Sequence, residues 1–133
     1  MKKPAVQTAL DKAGLTPDDI DNIFAGDLLN QCIGSSFGLR SFGIPFIGLY
    51  GACSTMALSA GLAAVFIDSG AAKKTISVTS SHFCSAERQY RFPLNYGSQR
   101  TPTAQWTVTG SGALILGKDG GDIYISSVTF GEI

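Results

Sequence analysis

The chain has 133 residues, and 10 lysines and arginines balance 10 aspartates and glutamates to give a formal net charge of zero. This length fits a single domain, and a neutral chain has no long-range field that would attract nucleic acid or an acidic membrane surface. The apolar content of 44% and the 16 glycines are typical of a folded α/β protein and argue against disorder.

The cysteines indicate the redox compartment, and the uncharged central stretch raises the question of a membrane span. Cys32, Cys53 and Cys84 form neither a CxxC pair nor a zinc-binding pattern, so we expect a reducing compartment. We expect no signal peptide, because the first lysines are followed by proline and polar residues. The 27 residues between Arg40 and Asp68 carry no charge. Glycines and a proline interrupt them, which favours a buried strand and a buried helix over a membrane span.

The first half of the chain predicts alternating helices and strands. Apolar spacing over residues 4–13 predicts a short helix that ends at Gly14. Thr16 followed by Pro17 predicts a helix cap and one turn that ends near Asp21. The next predicted elements are a strand over 23–26, a helix over 28–39 and a strand over 44–49.

The second half begins with a predicted helix that follows Cys53, runs to about Asp68 and ends at Gly70. Alternating β-branched residues then predict a strand over 75–80. The remaining predicted elements are a connection over 81–103, a strand over 106–116, a turn over 118–122 and a last strand over 123–130. This order predicts a mixed α/β sheet of five strands, with crossovers first and a hairpin at the end.

Cys53 is the most informative residue, because it lies between a predicted strand and a predicted helix of small and apolar residues. Unpaired N–H groups and the positive end of a helix dipole meet at such a position, which favours a thiolate or a bound anion. Three roles are open: a nucleophile for acyl transfer, a ligand contact, or a small residue that lines the interior.

The helix predicted after Cys53 is apolar or small on every face, over residues 54–67. Such a helix is normally covered all round, and the short first helices are too few to cover its outer side. We therefore expect a second copy, another domain or a missing half to supply a further layer, since a patch of this size would otherwise aggregate.

Five segments of the sequence carry a resemblance to a known family. They read GACSTM at 51–56, VTSSH at 78–82, AERQYRFP at 86–93, YG at 96–97 and TVTGSGA at 107–113. The first segment and the strand end at 78–82 resemble the thiolase and ketoacyl-synthase superfamily. The whole combination resembles the stage V sporulation protein AD family within it. The resemblance implies one partial thiolase-like domain over 1–133, taken from the first of two similar halves, without the opening strand.

The resemblance implies binding rather than catalysis, with no catalytic residue, no cofactor and no metal site in the chain. The implied ligand is dipicolinic acid or its calcium chelate, taken up into spores and released from them. The implied location is the cytoplasmic face of the spore inner membrane, bound peripherally beside other membrane proteins of the same bacterial system. We expect a homo-oligomer or a missing second half as partner, and no nucleic acid.

The candidate ligand-binding residues combine hydrogen-bond donors with arginines. Hydroxyl and imidazole groups at a strand end can donate to a carboxylate, and an arginine can hold a carboxylate at two points while tyrosine or phenylalanine stacks on a flat ring. The candidates are Cys53, Ser54, Ser81, His82, Arg88 and Arg91.

Two alternatives to a binding protein remain open at this stage. One is an acyl-transferring enzyme of the thiolase or ketoacyl-synthase type that uses Cys53, although a thiolate without a base and an oxyanion site is an incomplete enzyme. The other is a structural subunit with a vestigial pocket, in which the candidate residues serve only the fold or a subunit contact.

Overall fold

The computed structural model describes residues 1–28, 32–81, 101–103 and 108–132. These ranges contain three α-helices and four β-strands, and short 3-10 turns lie at Pro17–Asp19, Arg40–Phe42 and Ala52–Ser54. In chain order the helices and strands are α1 (Lys2–Ala13), β1 (Asn22–Asp27), α2 (Ile33–Leu39), β2 (Phe46–Gly48), α3 (Thr55–Asp68), β3 (Lys74–Ser81) and β4 (Gly110–Gly117).

The strands form one mixed sheet in the order β2-β1-β3-β4. β1 pairs in parallel with both β2 and β3, and β4 pairs antiparallel with β3 along its whole length. The parallel pairs require crossover connections, which α2 and α3 provide. The sequence-based prediction of a mixed α/β sheet with early crossovers is thus confirmed.

The predicted fifth strand and the final hairpin are wrong. Residues 123–130 have no regular secondary structure, and the sheet has four strands among the described residues. The segment instead reaches the outer side of α3: a Cβ built on Gly61 would lie 2.9 Å from Cγ1 of Val128 and 4.0 Å from Cζ of Phe130. Val128 therefore packs on a helix rather than in a sheet, whereas Ile123, Tyr124, Ile125 and Phe130 remain exposed. Sequence alternation alone does not distinguish these environments.

Two other predicted boundaries change for local reasons. The helix predicted over 28–39 begins only at Ile33, because Cys32 adopts φ 56°, which interrupts helical backbone. The strand predicted over 44–49 is assigned only over Phe46–Gly48. Its hydrogen bonds extend further, since the Pro45 carbonyl accepts from Ile23 N–H at 2.8 Å and Leu49 N–H donates to Ala25 at 2.9 Å.

One face of the sheet carries the main apolar core. Helix α1 ends at Gly14, which has φ 64°, as its position predicted. Val6 and Leu10 of α1 are fully buried against this face. Burial of such side chains contributes about 1.5–3 kcal/mol each. The core cluster consists of Val6, Leu10, Ile20, Ile23, Ala25, Leu39, Ile76 and Val78.

The opposite face is covered by α3 and is built from smaller side chains. Ser59 and Ala63 of α3 are fully buried, and Phe66 meets Phe24 of β1 edge to face, with ring centroids 5.0 Å apart. Val65, on the outer side of the same helix, remains 45% exposed. None of the described helices has both the length and the hydropathy that a membrane span requires.

Candidate functional site

The turn between β2 and α3 presents Cys53 at the surface. Ala52 adopts φ 46°, a left-handed conformation that is unusual for alanine and turns the chain sharply into the helix. Cys53 follows within the 3-10 turn and its side chain is exposed. The sequence-based placement of this thiol at the start of a helix is thus confirmed.

The hydroxyl groups of Ser54 and Thr55, the two residues after Cys53, stabilise this turn. Ser54 Oγ donates to the Gly51 carbonyl at 2.7 Å, and Ser54 N–H donates to the same oxygen at 2.9 Å. Thr55 Oγ1 donates to the Ala52 carbonyl at 2.8 Å and accepts from Gly51 N–H at 3.1 Å. These bonds satisfy backbone groups that a helix start leaves unpaired, and they fix the backbone that carries the thiol.

Gly26 allows this turn to approach the sheet. A Cβ at Gly26 would overlap the Leu49 carbonyl oxygen and Cγ2 of Thr55. Only a residue without a side chain fits here, so the end of β1 and the start of α3 lie in direct contact. The close approach brings Cys53 to the carboxyl ends of the parallel strands, where α/β sheets commonly bind ligands.

A cavity of about 320 Å³ opens at these strand ends. Among the described residues, its wall combines one thiol, one carboxylate and several hydroxyl groups with apolar and glycine surface. The lining residues come from the ends of β1 and β3, from the Cys53 turn, from the first turn of α3 and from the start of β4: Gly26, Asp27, Leu28, Ala52, Cys53, Thr55, Met56, Thr79, Ser80, Ser81, Val108, Gly110, Ser111 and Gly112.

The hydroxyl groups of the cavity wall hydrogen-bond within the protein. Ser81 Oγ donates to the Val108 carbonyl at 2.7 Å, and Ser111 Oγ donates to the Thr79 carbonyl at 2.9 Å. Thr79 Oγ1 lies 3.5 Å from Sδ of Met56. The protons of the Ser81 and Ser111 hydroxyl groups are engaged in these bonds, so they are not available as donors to a ligand in the cavity.

Asp27 is the carboxylate in this wall, and it takes part in a buried network. Its Oδ2 accepts from Lys2 Nζ at 3.1 Å, from Ser35 Oγ at 2.6 Å and from Ser35 N–H at 2.8 Å. Lys2 Nζ also contacts Ser35 Oγ. The Lys2 and Asp27 side chains are 1% and 5% exposed, so this ion pair lies in the interior.

Burial lowers the pKa of Lys2 below its ordinary value, and the charge of Asp27 and its hydrogen bond oppose that effect. The pKa of the nearby Cys32 thiol shifts upward instead. Burial raises the pKa of Cys32, and the negative charge of Asp27 adds to the increase. Cys32 Sγ donates to the Leu49 carbonyl at 3.1 Å, so it serves the packing behind the site.

The six candidate residues predicted from the sequence fall into three groups. Cys53 and Ser81 lie together on the cavity wall. Ser54 is next to Cys53, but its hydroxyl is engaged with Gly51 and it is not part of the cavity lining. The other three, His82, Arg88 and Arg91, lie outside the described residues.

Sequence reasoning missed the Asp27 network, and it missed that Thr55 and Met56 of α3 line the cavity. Asp27 carried a recognisable signal, since a charged residue directly follows the short apolar strand predicted over 23–26. Lys2 and Ser35 carried none, because they lie 25 and 8 residues from Asp27 in the chain. Within the described ranges no group of three or more histidine, cysteine or acidic side chains could hold a metal ion.

Comparison with known proteins identifies the relatives of this chain. The family model of stage V sporulation protein AD matches residues 1–133. Stage V sporulation protein AD of Bacillus subtilis (strain 168) is 46% identical over 133 residues, which is 100% of this chain and 39% of that protein. The chain therefore spans well under half the length of this curated relative.

Solved structures share the fold at low sequence identity. 3-Oxoacyl-[acyl-carrier-protein] synthase III from Aquifex aeolicus VF5 superimposes with a TM-score of 0.70 at 20% identity, over 91% of this chain and 38% of that one. The synthase III of Thermus thermophilus gives 0.63 at 17% identity, over 87% and 35% of the two chains. These neighbours establish the thiolase-like fold that the sequence predicted.

Proposed function

Because the chain belongs to the stage V sporulation protein AD family, we propose that it binds dipicolinic acid, alone or as its calcium chelate, as a non-catalytic protein of sporulation. The bound acid would be taken up into spores and later released. The observation that carries the proposal is the 320 Å³ cavity beside Cys53 at the strand ends. This volume is at the lower end of the range of about 300–1,000 Å³ that is usual for small-molecule sites, and it suits a ligand with a single ring.

The wall chemistry supports a small, flat ligand with polar edges. Met56 and Val108 supply apolar surface for a ring, and the Cys53 thiol lies at the edge of the same cavity. The ion pair between Lys2 and Asp27 compensates the carboxylate of the wall. His82, Arg88 and Arg91 remain predicted contacts for the ligand carboxylates, since guanidinium groups bind carboxylates at two points.

The proton-transfer groups of the cavity favour binding over acyl transfer. Acyl transfer to a thiol requires a base near the sulfur and donors for the oxyanion. Within the described part of the lining, the side chain suited to act as a base is Asp27, and its Oδ2 already accepts three hydrogen bonds from Lys2 and Ser35. These bonds engage the carboxylate in the Lys2 and Ser35 network, which reduces its capacity to accept a hydrogen bond from a thiol.

Isothermal titration of the chain with dipicolinate, with and without calcium, tests the proposal. We expect saturable binding that Cys53→Leu weakens by about tenfold, because the added methyl groups occupy the cavity at a cost of about 1–3 kcal/mol. Cys53→Ser keeps the side-chain size and serves as the matched control. A folded chain that gives no heat at millimolar dipicolinate contradicts binding by this chain and favours a structural subunit with a vestigial pocket.

The exposed thiol of Cys53 makes acyl transfer the second candidate function. In that reaction the sulfur would attack an acyl thioester, form a new thioester on Cys53 and release the original thiol. Incubation with an acyl-coenzyme A followed by mass spectrometry of the Cys53 peptide tests it. A mass increase equal to the acyl group, absent in Cys53→Ser, would support the enzyme, and an unchanged peptide would contradict acyl transfer.

The proposed location is the cytoplasmic face of the spore inner membrane, held peripherally by other membrane proteins of the same system. The partly exposed outer side of α3, where Val65 is 45% exposed, supports a further layer from a second copy or from the remaining half of a longer protein. Size-exclusion chromatography with light scattering measures this association directly: a monomer at micromolar concentration contradicts self-association.

A further inference from the structure

Met56 lies between the Cys53 cavity and a layer of small side chains beneath α3. It belongs to the first turn of α3, lines the cavity and is half-buried. Ser59 and Ala63 follow it at intervals of three and four residues, so the three side chains share one face of the helix. Both are fully buried. Beyond Met56, this face of the helix therefore presents only small side chains to the sheet.

The part of β3 that faces α3 carries hydroxyl groups. Ile76 and Val78 of this strand belong to the core on the α1 side of the sheet. Because side chains alternate along a strand, Ser77 and Thr79 lie on the other side, beneath α3. Thr79 Oγ1 lies 3.5 Å from Met56 Sδ, as this placement requires. Ser77 comes next along the same face, further from the cavity.

Two hydroxyl groups on this side of β3 have no hydrogen-bond partner among the described residues. They are Ser77 Oγ and Thr75 Oγ1, and both residues are fully buried. A buried hydroxyl without a partner costs free energy, and such groups are few in folded proteins. The hydroxyl of Ser59 is engaged elsewhere, since it donates to the Met56 carbonyl at 3.0 Å. The layer behind Met56 thus combines small side-chain volume with unused hydrogen-bonding capacity.

We propose that Met56 is a specificity-determining residue of the cavity: its side chain closes an inner subsite beneath α3 and so restricts the cavity to short ligands. Methionine is an unbranched, flexible gap filler, and its thioether is a weak acceptor, so the contact with Thr79 holds it weakly. The subsite behind it suits an uncharged polar group such as an alcohol, because a hydrogen bond with Ser77 compensates burial of a hydroxyl but not of an ion. The inference concerns the depth of the cavity and does not require that dipicolinate is the ligand.

Disulfide exchange at Cys53 measures this depth. The Cys53 thiolate attacks a mixed disulfide of a probe thiol and mercaptoethanol, forms a disulfide with the probe and releases mercaptoethanol, and excess mercaptoethanol makes the exchange reversible. The probe chains are heptyl and ω-hydroxyhexyl, which match in length, and ethyl, which is too short to pass residue 56. Helix and strand spacings put Ser77 roughly 10–12 Å from Cys53, within reach of the two longer chains.

Mass spectrometry of the Cys53 peptide after peptic digestion at acid pH, which halts the exchange, gives each exchange constant. Reading the single peptide separates Cys53 from the other two cysteines of the sequence. A longer chain that gains contacts inside the protein has a larger exchange constant than the ethyl chain, which measures the reactivity of the turn alone.

Met56→Ala should raise the exchange constant of the heptyl chain by about tenfold, because several methylene groups then leave water. Met56→Leu retains most of the side-chain volume and should keep the constant within about twofold of its original value. Adding Ser77→Ala to Met56→Ala should weaken retention of the hydroxyhexyl chain by about threefold to tenfold and leave the heptyl chain within about twofold. The ethyl chain should give the same constant in every variant.

Other outcomes overturn the proposal. Equal heptyl constants in the original chain and in Met56→Ala would show that no space opens beneath α3. A gain shared by the ethyl chain would show that the turn has loosened, which is a purely structural role. A hydroxyhexyl chain that does not respond to Ser77→Ala would show that the subsite does not reach Ser77.

If Met56→Ala does not fold, Met56→Val decides the matter, since it must show a smaller gain for the heptyl chain and none for the ethyl chain. Absence of dipicolinate binding would count against the proposed function and would not alter these exchange constants.

Discussion

The two ends of strand β1 carry an aspartate each, and the two behave differently. Asp21 precedes the strand and is exposed; its Oδ2 accepts from the backbone N–H groups of Lys73 at 2.7 Å and Lys74 at 3.0 Å. Asp27 ends the strand and is buried with Lys2 and Ser35. Both carboxylates tie β1 to a distant part of the chain. The exposed one does so in water at little cost, whereas the buried one is paired with the Lys2 ammonium group in the interior, where loss of one partner is costly.

Loss of the buried carboxylate should have the largest effect. Asp27→Ala leaves the Lys2 ammonium group in the interior without its partner, and we expect the free energy of unfolding to fall by about 3–5 kcal/mol. Urea denaturation followed by circular dichroism measures it. Lys2→Met/Asp27→Ala removes both charges and should recover a large part of the loss. A single variant that loses less than about 1 kcal/mol would contradict burial of the pair.

A methyl group at the carboxyl end of β1 should have the next largest effect. Gly26→Ala places a Cβ against the Leu49 carbonyl and Thr55, so the turn that carries Cys53 must shift. We expect a loss of about 2 kcal/mol and a changed rate of Cys53 alkylation by iodoacetamide. Gly117→Ala in β4 is the control, because a Cβ there meets its nearest atoms at 3.7 Å. Equal stability of the two variants would show that the turn does not pack on β1.

The exposed end of β1 should give the smallest effect, and it should depend on pH. Hydrogen bonds from Lys74 and Lys73 N–H lower the pKa of Asp21 below its ordinary value of 3.8. A lowered pKa in the folded state means that the carboxylate stabilises the fold above pH 3.8 and loses this contribution as pH falls through the lower folded value.

Asp21→Asn should therefore lower the Tm near neutral pH, and the difference from the original chain should shrink as the pH drops below 3.8. Thermal unfolding followed by circular dichroism across this range measures it. Asp18→Asn removes the same charge from the neighbouring turn and controls for net charge. A difference that is constant with pH would show that the hydrogen bonds to Lys73 and Lys74 do not depend on the charge of Asp21.

The elements with strong local signals could be predicted from the sequence. Helix α1 showed apolar periodicity and a terminal glycine, and β3 showed alternating β-branched residues, and both appear close to their predicted bounds. The turn at Pro17–Asp19 also forms, with Asp19 Oδ2 accepting from Thr16 N–H at 2.8 Å. Cys53 could be placed at the start of a helix because the glycine, the cysteine and the small-residue run occur in that order.

The features that depend on contacts between distant segments could not be predicted. Residues 123–130 alternate like a strand, but Gly61 of α3 leaves room for Val128, and this tertiary contact determines where the segment packs. Nothing in the sequence distinguishes Lys2 from the other lysines. Only the folded structure shows that it is buried against Asp27 and linked to the candidate site.

The left-handed alanine before Cys53 has a consequence for any molecule that reaches the cavity. Ala52 holds φ 46° at a local cost of about 1–3 kcal/mol, and the bonds from Ser54 and Thr55 keep the turn in this one shape. The chain incurs this conformational cost once, when it folds, and not each time a molecule binds. An incoming molecule would therefore meet a preorganised thiol and lose little affinity to the entropy of ordering the loop.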